Sequence, residues 1–311
     1  LICGGYGVEK QKRAFLFFGK KKDKIDTLKS AFVFDPITNA FAQVGDMKES
    51  RHSHTASLMD DGRVLIAGGF NDDVWKKRKT EASFETFDPK SGKFTKIGAA
   101  FLGLGGLKTE DPRMSYTATP IEGGAGILFT GGQRYSGGAL FGLIKPKAKL
   151  NKGSEVIRDA KTVTDTVALN DPRMHHGAAS LDPTSVLVAG GQTTNAVIDT
   201  VEIYDSSAAV WSRAGKLSTA RTSVEVVKAG NHALVIGGHD GNGESAAVDL
   251  FDMAKQQVTG SVTLSTARNN FTATTLSDGS VLVIGGMTGA TKSLQSLDGQ
   301  ALGSCERYVR P

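Results

Sequence analysis

Six Gly-Gly pairs, each closing a short apolar run, constrain the fold of this chain more than any other feature. Continuous apolar runs of four or five residues suit strands that are buried on both faces, and glycine ends them where backbones crowd together or φ turns positive. Glycine supplies 38 of the 311 residues and proline only 8, so many short strands joined by tight turns are expected. The pairs are Gly4-Gly5, Gly68-Gly69, Gly131-Gly132, Gly190-Gly191, Gly237-Gly238 and Gly285-Gly286.

Two further sequence signals recur with the same period as the Gly-Gly pairs. An arginine stands 16 to 18 residues before each of the last five pairs: Arg51, Arg113, Arg173, Arg221 and Arg268. An aromatic residue followed by aspartate comes after four of the six Gly-Gly pairs, the first, second, fourth and fifth, at Phe34-Asp35, Phe87-Asp88, Tyr204-Asp205 and Phe251-Asp252. Seven residues after the aromatic stands Phe41, Phe94, Trp211 or Val258. Each repeat therefore predicts four antiparallel strands: a begins at the arginine, b ends in Gly-Gly, c ends in aromatic-Asp and d carries the second large apolar residue.

The period of 47 to 64 residues between pairs is typical of β-propeller blades. Over essentially its whole length, the chain resembles a series of kelch repeats. The features that carry the resemblance are the double glycine, a Tyr-Asp-like pair and a Trp-like position. The resemblance implies an all-β, six-bladed β-propeller, and we expect one domain spanning residues 1–311. The expected blades, numbered one to six, are 1–50, 51–112, 113–172, 173–220, 221–267 and 268–311. Blade three departs most, with Arg158-Asp159 and then Asp165 where aromatics are expected.

The repeat phase leaves the first and last blades incomplete. The chain opens inside strand b of blade one and closes in strand c of blade six, so strand a of blade one and strand d of blade six are missing. We expect a preceding segment of about 25 to 35 residues to supply both. Cys3 and Cys305 fall on these two blades; they are expected to be buried free thiols, with a disulfide as the alternative.

The long insertions all lie in b–c or d–a connections, which leave a four-stranded blade at the same end. Residues 9–30, 70–80 and 133–153 carry net charges of +5, +2 and +5, against +5 for the whole chain, so the remainder is −7. Apolar segments next to lysines in these loops predict a partner-binding surface. Its candidate residues are Phe15, Phe17, Phe18, Lys20, Lys21, Lys22, Trp75, Phe101, Phe141, Ile144, Lys145 and Lys147.

The partner expected from this pattern is a protein with an acidic or apolar surface, or an anionic membrane surface. Nucleic acid is not expected, because the basic runs lack a surrounding platform of aromatic side chains. The structural alternative is that these segments form extra hairpins that pack on the propeller, with solvated lysines.

The five arginines, with His54 and His176, are candidates for a polar cluster at the channel mouth. Kelch domains that bind acidic peptides are similar in using arginines there, since a guanidinium pairs bidentately with a carboxylate. The structural alternative is that each arginine ties blades together through local carboxylates or carbonyls. No metal is expected, because no carboxylate or cysteine joins the histidines at ligand spacing. The segment Asp240–Glu244 is expected to be a turn and not a calcium loop.

Function is therefore a choice between two classes. The first is a non-enzymatic kelch propeller, a scaffold that binds a protein through its b–c and d–a loops and needs no cofactor. The second is a secreted enzyme similar to galactose oxidase, or a carbohydrate or small-ligand binder, that uses the channel mouth. No linear catalytic motif is present, and the five tyrosines and two cysteines do not assemble the copper site of galactose oxidase. The compartment is left open, with an extracytoplasmic location favoured.

Overall fold

The computed structural model describes residues 1–9, 24–35, 37–71, 79–80, 83–97, 113–121, 124, 126–136, 147–158, 162–289 and 300–309. Within these ranges all regular structure is β-strand, and no helix occurs. The same ranges accordingly contain no apolar helix of the length that crosses a bilayer.

The strands are short, as the apolar runs between glycines predict. In chain order they are β1 (Ile2–Cys3), β2 (Tyr6–Glu9), β3 (Lys24–Thr27), β4 (Ala31–Asp35), β5 (Ala40–Gln43), β6 (Thr55–Leu58), β7 (Val64–Ala67), β8 (Phe70–Asn71), β9 (Lys79–Thr80), β10 (Phe84–Asp88), β11 (Lys93–Lys96), β12 (Thr117–Ile121), β13 (Gly126–Thr130), β14 (Gln133–Ser136), β15 (Lys147–Leu150), β16 (Ser154–Arg158), β17 (Thr162–Thr166), β18 (Gly177–Asp182), β19 (Ser185–Ala189), β20 (Thr200–Asp205), β21 (Val210–Lys216), β22 (Glu225–Ala229), β23 (His232–Ile236), β24 (Ala247–Asp252), β25 (Gln257–Thr263), β26 (Thr272–Thr275), β27 (Val281–Ile284), β28 (Met287–Thr288), β29 (Gln300–Ala301) and β30 (Cys305–Tyr308).

Six antiparallel sheets are the blades, and the fold class is a six-bladed β-propeller, as expected. Blades two to five have four strands in the order a-b-c-d: β6-β7-β10-β11, β12-β13-β16-β17, β18-β19-β20-β21 and β22-β23-β24-β25. In the described residues blade one has three strands, β1-β4-β5, and blade six has three, β26-β27-β30. These correspond to b-c-d and a-b-c, in agreement with the repeat phase.

Four b–c connections carry a second small sheet beyond the Gly-Gly pair. These two-stranded hairpins are β2-β3, β8-β9, β14-β15 and β28-β29. In the first hairpin Tyr6 pairs with Thr27 and Glu9 with Lys24, so the chain leaves the blade along one strand and returns along the other. The insertions therefore begin and end as antiparallel stems, which agrees with the structural alternative given above for these segments.

Strand a begins later than predicted. Each regular a strand starts four residues after its arginine, at Thr55, Thr117, Gly177, Glu225 and Thr272. The reason is a left-handed residue two positions after each arginine, with φ between 48° and 56°, which no β-strand accommodates. These residues are Ser53, Ser115, His175, Ser223 and Asn270.

Gly190 illustrates why the repeat requires glycine at the end of strand b. Its φ is +62°, and a Cβ atom there would lie 2.5 Å from the carbonyl oxygen of Arg221, the arginine of the next blade. The following residue, Gly191, donates its N–H to that same carbonyl at 2.8 Å. Glycine is therefore required at the end of strand b because two backbone segments approach closely there, and not only because the chain turns.

Blade three has its outer strand despite its weak sequence signal. Ile157 lies opposite Ile127, the position that Tyr204 takes opposite Val186 in blade four. The aromatic position is therefore held by Ile157 and not, as the sequence suggested, by Arg158. A buried aliphatic side chain, 2% exposed, fills the core there in place of the aromatic ring.

The chain divides into two compact units, which we describe separately. The first comprises residues 1–115, 134–149 and 160–163, and the second 116–133, 150–159 and 164–311. In the first unit Ala31, Met47, Ile66, Phe87 and Phe94 form one core, in which the aromatic pair of blade two packs on blade one.

The second unit has its largest core between blades four and five. Leu187, Val201 and Ile203 of blade four pack with Val235 and Phe251 of blade five. The expectation of a single domain over residues 1–311 stays a prediction.

Candidate functional site

Among the described residues, the five arginines of the repeat are the largest side chains that are fully or almost fully buried. Arg113 is 2% exposed and the other four, Arg51, Arg173, Arg221 and Arg268, are fully buried. Because a buried guanidinium without partners would cost several kcal/mol, each must be satisfied inside the protein.

Blade four shows how the guanidinium is held. Arg173 Nη2 donates to Glu202 Oε1 at 2.6 Å and to Thr200 Oγ1 at 2.9 Å. Its Nη1 donates to the carbonyl oxygens of Gly190, at 2.9 Å, and Thr200, at 2.8 Å. Burial lowers the pKa of Arg173, and the charge of Glu202 acts in the opposite direction. The pair is thus a buried, charge-assisted hydrogen bond between strand c and the residue that precedes strand a.

Three other blades repeat the ion pair. Arg51 binds Glu85 at 2.9 Å, Arg268 binds Glu306 at 2.6 Å, and Arg221 binds Asp249. In every case Nη1 also donates to the carbonyl oxygen of the first glycine of the pair, namely Gly68, Gly237 or Gly285. In blade three Glu155 occupies the equivalent position on strand c, opposite Phe129. The repeated arginine is therefore part of the blade framework.

The strand-c carboxylates of blades two, four, five and six also accept backbone N–H groups that precede the arginine. Glu202 accepts from the amides of Asn170, at 2.8 Å, and Asp171, at 3.1 Å. Glu85 likewise accepts from Lys48 and Glu49. One carboxylate thus fixes both the guanidinium and the d–a connection. This geometry supports the structural alternative for the arginines, because their Nη donors are already used within the protein.

His54 is half-buried next to Cys3 and is neutral at pH 7. Burial, followed by the charges of Arg51 and His52, lowers its pKa to about 4. Its Nε2 lies 3.5 Å from Cys3 Sγ. Burial raises the pKa of the Cys3 thiol to about 11, so this pair supplies neither a thiolate nucleophile nor an imidazolium at neutral pH.

His176, in blade four, is buried, with 6% of its surface exposed. Burial, followed by the charges of Arg173 and His175, holds its pKa well below the usual range. Its Nε2 is 2.9 Å from Thr117 Oγ1. Both candidate histidines therefore serve as neutral hydrogen-bonding groups between neighbouring parts of the chain.

Metal chemistry finds no support in the described ranges, where no three His, Cys, Asp or Glu side chains approach each other as a ligand set. Asp240 Oδ1 instead accepts the amides of Asn242, at 2.7 Å, and Gly243, at 2.9 Å. The segment is a turn closed by its own aspartate, as expected from the sequence. Cys3 and Cys305 are both free thiols; Cys3 is half-buried and Cys305 is exposed, although both were expected to be buried.

Nearly all the predicted partner-binding residues lie outside the described residues: Phe15, Phe17, Phe18, Lys20, Lys21, Lys22, Trp75, Phe101, Phe141, Ile144 and Lys145. Lys147 is the first residue of β15. The structure describes the stems that carry these segments, β2-β3, β8-β9 and β14-β15. The stems β2-β3 and β8-β9 fall in the first compact unit, whereas the stem β14-β15 is divided, with residues 133 and 150 in the second unit and its other residues in the first.

Sequence reasoning missed two groups of acidic residues. The first is the set of strand-c carboxylates, although each stands two residues before the aromatic position, as in Glu85-Thr86-Phe87. The second is Glu225 on β22, which is half-buried. Burial raises its pKa to about 7. Nothing in the sequence around Glu225 marks it, because its surroundings come from other strands.

Searches of the sequence against models of protein families and against curated proteins find no match.

Proposed function

We propose that this chain is a kelch-type propeller that acts as a non-enzymatic scaffold and binds an acidic partner protein through its basic b–c insertions. β-Propellers commonly serve as platforms for protein interactions, with loops of variable length on a rigid blade framework. The kelch assignment rests on the Gly-Gly, aromatic-Asp and second-aromatic positions, which coincide in register in blades two and four.

The observation that carries the proposal is the separation of two sets of positive charge. The arginines of the repeat are buried and neutralised by carboxylates such as Glu85 and Glu202. By contrast, the three insertions are positively charged. Segments 9–30, 70–80 and 133–153 carry net charges of +5, +2 and +5, whereas the rest of the chain carries −7. All three insertions are b–c connections, which leave a four-stranded blade at the same end, and this supports binding of one acidic surface by their lysines together.

Catalysis at the candidate channel-mouth residues receives no support from their chemistry. A nucleophile, general base or metal ligand needs an available lone pair, an appropriate pKa and access to substrate. His54 is half-buried and lies against Cys3, and His176 is buried and lies against Thr117. The arginines use their Nη donors inside the blades. Recognition by surface loops is the function that remains best supported.

The test is charge reversal in two insertions, with Lys20→Glu, Lys22→Glu and Lys145→Glu combined. The tagged protein is incubated with extract from its native source, and the proteins that it retains are quantified by mass spectrometry. We expect a specific acidic protein to be retained by the wild type and recovered at least about tenfold less with the triple variant, because three repulsive contacts replace three attractive ones. Raising the salt concentration should weaken the wild-type interaction as well.

The matched control reverses three lysines at the opposite end of the blades: Lys90→Glu, Lys93→Glu and Lys255→Glu. All three are exposed and lie in or next to c–d turns, and the change in net charge is the same. Recovery of the partner should be unchanged with this control. Equal loss with both variants would show a non-specific charge effect, and no loss with the loop variant would refute the proposal. Binding of the wild type to anionic vesicles but to no protein would also refute it.

A further inference from the structure

The b–c turn of blade five contains Asn242-Gly243, the only place in the sequence where glycine follows asparagine. The turn lies between β23 and β24, and Asn242 is exposed. Its side-chain amide makes no hydrogen bond to any residue that the structure describes. The Asn242 side chain is therefore free to approach the backbone of the residue that follows it.

The fold gives no reason for glycine at position 243. Its φ lies outside the left-handed region, and a Cβ atom there would meet no described atom within 4 Å, its chain neighbours aside. A Cβ atom at Gly238 of the same blade, by comparison, would lie 2.4 Å from the carbonyl oxygen of Thr222. Alanine would thus fit at 243. What glycine provides there is a backbone nitrogen that no side chain shields.

An exposed asparagine and an unshielded nitrogen on the next residue can react with each other. The Gly243 nitrogen loses its proton to base and attacks Cγ of Asn242, which closes a succinimide ring. The bond from Cγ to the side-chain nitrogen breaks, and that nitrogen takes up protons from water and leaves as ammonia. A water molecule then opens the ring at either carbonyl, which gives isoaspartate or aspartate. The sum is water consumed and ammonia released, without an oxidant or reductant.

We propose that Asn242 is the site at which this protein deamidates spontaneously, and that Asp240 slows the reaction by holding the nitrogen that attacks. Asparagine is among the thermally labile residues, and closeness of the two reacting groups lowers the barrier between them. The site uses no residue of the basic insertions, so it is independent of the proposed function.

Asp240 binds the Gly243 amide directly. Its Oδ1 accepts the N–H groups of Gly243, at 2.9 Å, and Asn242, at 2.7 Å. The hydrogen bonds from Asn242 and Gly243 lower the pKa of Asp240, so the carboxylate is ionised at neutral pH. A hydrogen bond from an amide to an ionised carboxylate is a strong one, and it must break before the Gly243 nitrogen can lose its proton. The folded turn should therefore react more slowly than the unfolded chain.

The turn is also the part of blade five that the product would disturb. The amide of Asp240 donates to the carbonyl oxygen of Gly243 at 3.0 Å and closes the turn. Isoaspartate routes the main chain through Cβ of residue 242, and both products place a second carboxylate beside Asp240. Deamidation should therefore loosen this b–c connection and make this end of the blade more negative, while β23 and β24 stay paired.

Blade four supplies an internal control for the Asn-Gly pair. Asn195 is exposed and takes the same place in the b–c turn of that blade, because Thr193 donates its amide to Ala196 as Asp240 does to Gly243. The nitrogen of Ala196 is likewise held, by Thr193 Oγ1 at 3.0 Å. A principal difference is the methyl group of Ala196, which shields the nitrogen beside it.

The experiment follows both asparagines by peptide mass spectrometry, with the intact protein incubated at pH 8 for several weeks. The readouts are the mass change from amide to carboxylate and the separation of isoaspartyl from aspartyl peptides. We expect Asn242 to convert at least about tenfold faster than Asn195, because the attacking nitrogen of Gly243 is unshielded. Urea-unfolded protein should convert faster still at Asn242.

Variants separate the roles of Gly243 and Asp240. Gly243→Ala should convert at least about tenfold more slowly than the wild type, with an unchanged melting temperature. Asp240→Ala should convert about tenfold faster, because the nitrogen is released, and Asp240→Ser should fall between, since a hydroxyl accepts the same amides more weakly. Asp205→Ala is the matched control, because Asp205 accepts two turn amides in blade four; it should leave the rate at Asn242 unchanged.

Any of four results would overturn the proposal. They are conversion at Asn242 no faster than at Asn195, a Gly243→Ala variant that reacts at the wild-type rate, an Asp240→Ala variant no faster than the wild type, and equal acceleration by Asp205→Ala. Folded protein that stays unconverted while the urea-unfolded protein reacts gives the first of these results.

Discussion

Removal of one strand-c carboxylate should destabilise the protein far more than removal of a surface charge. In Glu202→Ala, fully buried Arg173 loses its partner at 2.6 Å and keeps only the partly exposed Asp171, at 3.8 Å; breaking a buried pair in this way costs about 3–5 kcal/mol. The amides of Asn170 and Asp171 lose their acceptor at the same time, and some of that cost is recovered where water can reach them. We expect a loss of about 4 kcal/mol in the free energy of unfolding.

The assay is equilibrium unfolding in urea, followed by far-ultraviolet circular dichroism. Lys216→Ala is the control, because Lys216 pairs with Asp199 at 3.1 Å in the same blade but is 70% exposed; the loss expected there is below about 1 kcal/mol. The double variant Arg173→Met with Glu202→Leu should lose less than the two single variants together, since it removes both charges.

The outcome that would refute this reasoning is a Glu202→Ala variant within about 1 kcal/mol of the wild type. The ion pair would then contribute no more than a surface pair, and the structural account of the repeated arginine would fail. Additive losses in the double-variant cycle would equally contradict a direct interaction between Arg173 and Glu202.

Two titratable groups give further predictions. Because the pKa of Glu225 is raised to about 7, its protonated form is favoured by folding, so its contribution to stability is greatest below about pH 4.5 and is lost as the pH rises through 7. Glu225→Gln should therefore stabilise the protein at pH 8, by at most about 3 kcal/mol, and leave it almost unchanged at pH 4.5; a larger gain at the lower pH would contradict the assignment. At pH 8 Cys305, which is exposed, should react with a thiol reagent at least about tenfold faster than Cys3, which is half-buried and has a pKa of about 11. Peptide mass spectrometry measures the modification rates of both cysteines, and urea-unfolded protein is the control. Equal rates for Cys3 and Cys305 in the folded protein would contradict the prediction.

Much of the fold could be predicted because the same sequence pattern occurs six times along the chain. Gly-Gly after an apolar run, and aromatic-Asp before a turn, are local signals, and their phase gave the strand order within each blade and the incomplete first and last sheets. Errors arose where a local signal was weak or misleading. The left-handed residue after each arginine, such as His175 at φ 52°, moved the start of strand a, and Ile157 replaced an aromatic that the pattern expected at position 158.

The sequence by itself determined the blade count, the strand order and the concentration of positive charge in three insertions, since these depend on residues that are near each other in the chain. Only the tertiary structure decided what the arginines do, because the carboxylate that neutralises Arg173 is 29 residues away and reaches it only when strands b and c have paired. The burial of a side chain depends on the residues that surround it in the folded protein. A sequence pattern identifies those residues only where they are also close to it in the chain.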